Sequence, residues 1–176
     1  MWNYTGKQRP EFAREPAEGQ ESVWDYPRPP KVVEDKRHVV VRAGGQIIAD
    51  THNAWRVLET ASAPSFYLPP EDVNETLLKR ASGTSFCEWK GQARYWDVIL
   101  PENAGKTSNI SRAVWSYHQP SERFSPIDGY YSFYPALVEC FVDGERVTPQ
   151  PGGFYGGWIT NEIVGPVKGE PGTGGW

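Results

Sequence analysis

Apolar positions along the chain recur mainly at every second residue, the period of a strand with one buried face. The pattern sets in at His38, where HVVVRAGGQIIAD reads as a hairpin closing on Gly44-Gly45. Paired glycines supply the positive φ that a two-residue turn needs. AWRVLET (54–60) alternates as a third strand, with Trp55, Val57 and Glu59 on one face and Arg56 and Leu58 on the other. RAVWSYH (112–118) predicts a further strand, and VECFVDGERV (138–147) a hairpin turning on Asp143-Gly144. In TSFCEWKGQARYW (84–96) a two-residue turn at Lys90-Gly91 would pair Trp89 with Gln92 and Cys87 with Arg94. PENAGKTSNIS (101–111) and QPSERFSPIDG (119–129) read as polar loops.

One segment has helical spacing. In PPEDVNETLLKRASG (69–83), Val73, Leu77, Leu78 and Ala81 form a narrow apolar stripe. Pro70 suits a first turn, Glu71 and Asp72 suit the positive end of the dipole, and Gly83 is a natural stop. The expected fold is therefore mainly β with one short helix, built as a small sandwich or barrel-like shape.

The flanks break this pattern. Residues 1–20 are polar and aperiodic, an arm expected to be flexible unless something docks it. In ESVWDYPRPP (21–30) three prolines in four residues fix an extended path, with Trp24 and Tyr26 on one side. The core domain is expected over residues 21–148. Residues 149–176 form an extension rich in Gly and Pro that also carries Phe154, Tyr155, Trp158 and Trp176. Those rings predict that it lies over the domain in irregular form; a loose tail is the alternative.

The length of 176 residues suits one domain with such trimmings. Aromatic residues make up 14% of the chain, which requires either a packed ring-rich core or a ring-lined cleft. A net charge of −4 argues against broad nucleic-acid binding, which depends on neutralising phosphates. No apolar run reaches the length of a membrane span, and the start MWNYTGKQRPEF lacks a signal core. Cys87 and Cys140 alone give neither a disulfide framework nor metal-ligand spacing, so reduced thiols and a cytoplasmic location are expected.

Several phrases, taken in order, carry a family resemblance: ESVWDYPRPP, IADTHNAWRVLET, SFYLPPEDV, TSFCEWKGQARYW, AVWSYHQP, IDGYYSFY and VECFVDGE. Over about residues 20–147 the chain resembles the bacterial and fungal family called domain of unknown function 427, also labelled nucleotidyltransferase-like. The resemblance implies a compact β fold similar to the β-tent shape, and no established activity. Around the cysteine, Thr84, Cys87, Lys90, Gly91, Ala93 and Tyr95 match the family's usual phrase, and Glu88 stands where a proline is usual. The C-terminal phrase from Gly152 to Trp176 resembles an extension seen in part of the family.

The residues themselves do not support nucleotidyl transfer. The chain has no Gly-Ser pair, and Asp143 and Glu145 flank a hairpin turn instead of forming a Mg²⁺-holding strand pair. No phosphate loop, dinucleotide fingerprint or nucleophile elbow is present. Two distant cysteines and three histidines predict no metal site and no cofactor. His38, His52 and His118 would each have to fold onto Cys87 to activate it; His52 and His118 read as turn and loop residues. Cys140, alternating with Val138 and Val142, reads as core. Cys87 is the weak catalytic candidate: either a small wall residue or a thiolate stabilised by Arg94 across the hairpin.

A ligand cleft is the stronger expectation. Trp24, Tyr26, Tyr67, Tyr95, Trp115, Tyr117, Tyr130 and Tyr134 supply rings with polar tips, and Lys90 and Arg94 supply cations. Arg28, Arg42 and Arg56 could grip a carboxylate or phosphate with two parallel hydrogen bonds. Three functions stay open. The first is a domain binding an unidentified small, anionic molecule. The second is an enzyme using Cys87 or a Tyr/Lys/Glu set. The third is an interaction module, with a homodimer held by strand edges or exchanged arms.

Overall fold

In the computed structural model, residues 2–176 are described, and they are mainly β. The first strands are β1 (Glu21–Ser22), β2 (Lys31–Asp35), β3 (Val39–Ala43), β4 (Gln46–Thr51), β5 (Ala54–Leu58) and β6 (Ser65–Tyr67). Three longer strands follow: β7 (Leu78–Cys87), β8 (Gly91–Pro101) and β9 (Thr107–Tyr117). Short strands complete the chain: β10 (Tyr131–Phe133), β11 (Glu139–Val142), β12 (Glu145–Arg146), β13 (Thr148–Pro149), β14 (Trp158–Ile159) and β15 (Ile163–Val164).

Three antiparallel sheets carry the fold, ordered β10-β9-β8-β7, β12-β11-β3-β4 and β2-β5-β6. None of them closes into a barrel. Small pairs, β13 with β14 and a parallel β1 with β15, tie the extension to the body. The main apolar core lies between the first two sheets, where Val39, Val41 and Cys140 meet Val98, Val114 and Phe133.

Both two-residue turns stand where the glycines place them. Ala43 pairs with Gln46 across Gly44 and Gly45 (φ 53° and 76°), and Val142 with Glu145 across Asp143 and Gly144 (φ 47° and 80°). Asp143 tolerates this left-handed geometry, and its Oδ1 also accepts the His38 N–H at 2.9 Å.

The expected helix over 69–83 does not form. Helical structure among the described residues is confined to short 3₁₀ turns, the longest at Glu122–Ile127. Pro70–Asp72 and Glu75–Leu77 are two such turns, the second capped by Asn74, whose Oδ1 accepts the Thr76 N–H. From Leu78 the chain enters β7. A stripe of four apolar residues is too thin to hold a helix against pairing with β8, onto which the segment adds as an edge strand. Paired with β8, Lys79 sits opposite Asp97, and Arg80 lies 5.1 Å over the Trp96 ring. Gly83 (φ 84°) lies in the register shift between Arg80 and Thr84, marking a bulge and not a helix stop.

The polar loop expected at 101–111 is also mostly strand. β8 runs to Pro101 and β9 starts at Thr107, with Ile110 paired to Val98. Asn109 and Ser111 hid that strand because they place polar side chains on its exposed face.

The flanks are docked. Arg9 pairs with Asp25 and with Glu15, each at 2.7 Å, and the Arg14 N–H donates to Gly165 O at 3.1 Å. Phe12 stacks on Trp176 at 4.9 Å, and both meet Trp24 edge-on. In the extension, buried Trp158 stacks on Phe66 at 4.7 Å and donates from Nε1 to Phe133 O at 3.0 Å. The Gln150 amide links the extension to the body, accepting from Ala63 N–H and donating to Lys168 O.

Candidate functional site

A second apolar cluster, richer in rings, lies where β5 and β6 face the inner side of β7, β8 and β9. A cleft of about 490 Å³ opens over it, within the range of small-molecule sites. Val57, Ser65 and Tyr67 form one wall; Ser85, Tyr95, Trp115 and Tyr117 form the other. The β7–β8 turn, Glu88–Lys90, sits at one side, and Trp2, Tyr155 and Lys168 close over it from the flanks.

Alternation in the strands sets which side chains enter. In β8, Ala93 and Tyr95 are buried while Gln92 and Arg94 are exposed. In β9, Trp115 and Tyr117 enter from the inner face. The Trp115 Nε1–H donates to the Tyr67 hydroxyl at 3.2 Å, and the Tyr134 ring lies 4.5 Å from that of Trp115. Ser85 Oγ and Tyr95 OH share a 2.6 Å hydrogen bond. Gly156 packs on the Trp115 ring so closely that any side chain there would strike it, which fixes the extension's path over the cleft.

The cleft's ionisation is set by burial. It pushes the phenols of Tyr67, Tyr117 and Tyr134 upward, so they stay neutral hydroxyl groups at physiological pH. Lys90 is 8% exposed, and its Nζ lies 5.5 Å from the Tyr117 ring centroid and 5.8 Å from that of Phe124. Burial disfavours its charge, but the side chains around it, Glu59 among them, offset that, and its pKa is raised. Lys168 is equally buried, against the rings of Tyr155 at 5.2 Å and Trp2 at 5.8 Å. Its pKa is lowered, first by burial and further by the charges of Arg28 and Lys90, against the pull of Glu59.

Of the residues singled out in the sequence, Tyr67, Cys87, Lys90, Tyr95, Trp115, Tyr117 and Tyr134 line the cleft. The others lie elsewhere. Trp24 and Tyr26 are buried in a third cluster under the N-terminal segment; Trp24 Nε1–H donates to Pro166 O at 3.1 Å and Tyr26 OH donates to Glu21 at 2.6 Å. Arg28 is buried and committed to Glu59, Tyr4 O and Thr60 O. Arg56 is paired with Glu21 and Asp35, and Arg42 with Glu139 on the surface. Tyr130 packs against the ring cluster without lining the cleft.

The expected pairing of Cys87 with Arg94 does not occur. The turn spans three residues, Glu88–Lys90, so Cys87 pairs with Gly91 and Thr84 with Arg94. A register shift of this kind moves a side chain to the other face, and Arg94 points to solvent. The cation beside the Cys87 sulfur is Lys90 instead.

Some lining residues carried no usable signal in the sequence. Lys168 and Trp2 are distant in sequence and reach the cleft only because the flanks dock. Trp89 has a further peculiarity: its Nε1–H is buried and has no partner among the described residues. Within the same residues no three His, Cys, Asp or Glu side chains converge to hold a metal ion, and no helix is long and apolar enough to cross a membrane.

No curated protein shows significant similarity to the chain. Residues 31–144, which span the three main sheets up to the β11–β12 turn, match the family described as Domain of unknown function (DUF427), and the chain belongs to that family.

Proposed function

We propose that the cleft binds a small organic anion between its aromatic walls, with Lys90 as the anchoring cation. The single observation that carries this reading is the placement of Lys90: a buried amine in the cleft lining that is in none of the ion pairs of the described residues. A buried charge without a counter-ion is costly, and a bound carboxylate or phosphate would relieve that cost. The neighbouring arginines cannot take this part, because Arg28 and Arg56 are already neutralised by protein carboxylates. The orphan indole N–H of Trp89 supplies a second donor for the same ligand. The rings of Tyr67, Trp115 and Tyr117 favour a ligand with a flat or apolar body.

A thermal-shift screen of aromatic and aliphatic carboxylates and phosphates tests the reading. Stabilisation by some of these anions, lost in Lys90→Met, is the expected result. Absence of any shift across the panel would overturn it.

A further inference from the structure

The sequence has seven lysines, and five of them, Lys7, Lys31, Lys36, Lys79 and Lys106, are exposed. The two buried ones both line the cleft and differ in character. Lys90 comes from the β7–β8 turn and is the charged anchor. Lys168 comes from the extension, outside the family-matched region, and has no carboxylate or hydrogen-bond partner at its Nζ among the described residues. Only its backbone is tied down: its N–H donates to Ala61 O at 2.8 Å and its carbonyl accepts from Gln150 Nε2 at 2.9 Å. The side chain is thus held in place over the cleft with a free terminus.

We infer that Lys168 captures the carbonyl of a small aromatic 2-oxo acid as an imine, while Lys90 holds the carboxylate. The inference rests on the anion-binding reading of the cleft for its second half. A desolvated amine beside another cation is the arrangement that yields a nucleophilic lysine, since both effects favour the neutral form. Lys168 is buried in the cleft lining, as is Lys90, and its pKa is lowered, first by burial, with Glu59 and Glu88 pulling the other way. The pairing of one charged and one deprotonatable amine divides the work between anchoring and attack.

The step balances without oxidant or reductant. The neutral Lys168 amine adds its lone pair to the carbonyl carbon, one of its N–H protons passes to the former carbonyl oxygen, and a carbinolamine forms; its second N–H proton leaves with that oxygen in the next step. Loss of that oxygen as water leaves a C=N bond between ligand and lysine. Reversal by water releases the oxo acid unchanged, so capture is reversible. The open mouth of the cleft, flanked by the exposed rings of Phe86 and Phe154, lets that water enter and leave.

Reductive trapping on the full chain tests this. The protein is incubated with phenylpyruvate and cyanoborohydride at neutral pH, digested, and its lysines mapped by mass spectrometry. A lowered pKa leaves more free amine at neutral pH, so Lys168 should be labelled severalfold above the exposed Lys31 or Lys79. Labelling should fall with excess phenyllactate, which keeps the ring and carboxylate but has no ketone. It should disappear in Lys168→Arg with the melting temperature retained. Even labelling across the lysines, or none at Lys168, overturns the inference. The anion panel on the unmodified protein then separates the two ideas: a shift without trapping leaves the anion site standing, and no shift removes both.

Discussion

Lys90 and Cys87 sit three residues apart on one hairpin, and their roles follow from what surrounds each. The ammonium of Lys90 can form a charge-assisted hydrogen bond in a dry site, worth about 1.5–3 kcal/mol. Lys90→Met keeps an unbranched side chain in the same space, so the fold should persist while anion affinity falls roughly tenfold to a hundredfold, read by calorimetric titration. The two thiols should also separate cleanly. Cys87 lines the cleft and is half-buried, whereas Cys140 is fully buried and its thiol is pushed up by that burial. Iodoacetamide at neutral pH should therefore alkylate Cys87 in the folded protein and Cys140 only after denaturation. A bound anion should protect Cys87. Alkylation of Cys140 before unfolding, or a Cys87 that stays silent, would contradict the placement.

At the scale of elements, one ionic clamp joins β2, the link to β3 and the extension. Arg37 donates to Asp35 at 2.7 Å from Nη2 and also pairs with Glu162. Burial alone would raise the Asp35 carboxyl, but Arg37 outweighs it and holds the pKa below the ordinary value; Glu162 is lowered the same way. A carboxyl lowered in the folded state contributes stability above its unfolded pKa, about 3.9 for Asp, and loses it as pH falls through the folded value. Urea midpoints measured from pH 7 down to about pH 2 should thus fall steeply below about pH 4. Asp35→Asn should lower the midpoint at pH 7 and flatten that acid slope; an unchanged slope would remove the clamp from the account.

The whole molecule explains why the cleft exists at all. Its walls come from the family-matched sheets, but Trp2, Tyr155 and Lys168 come from the two flanks. A chain cut to residues 21–148 should lose the stacking of Trp158 on Phe66 and the Gln150 bridge to Ala63. It should melt well below the full chain, with tryptophan emission shifted to the red as Trp24 loses its cover of Phe12 and Trp176. Equal melting temperatures would mean that the flanks are accessory.

The sequence by itself determined the β class, both two-residue turns and the ring-rich composition, because period and turn chemistry are local properties. It also put Tyr95, Trp115 and Tyr117 among the candidate ring residues, and all three are buried in β8 and β9. Only the tertiary structure decided that 69–83 is no helix, since a sheet edge outweighed a weak propensity. It moved the turn of TSFCEWKGQARYW to Glu88–Lys90, because strand pairing and not the turn dipeptide sets the register there. It also withdrew the arginines from the cleft by pairing them with carboxylates far away in sequence, and it brought in Lys168 from the far end of the chain. Charge pairing and cleft closure depend on which distant residues meet, and no local pattern encodes that.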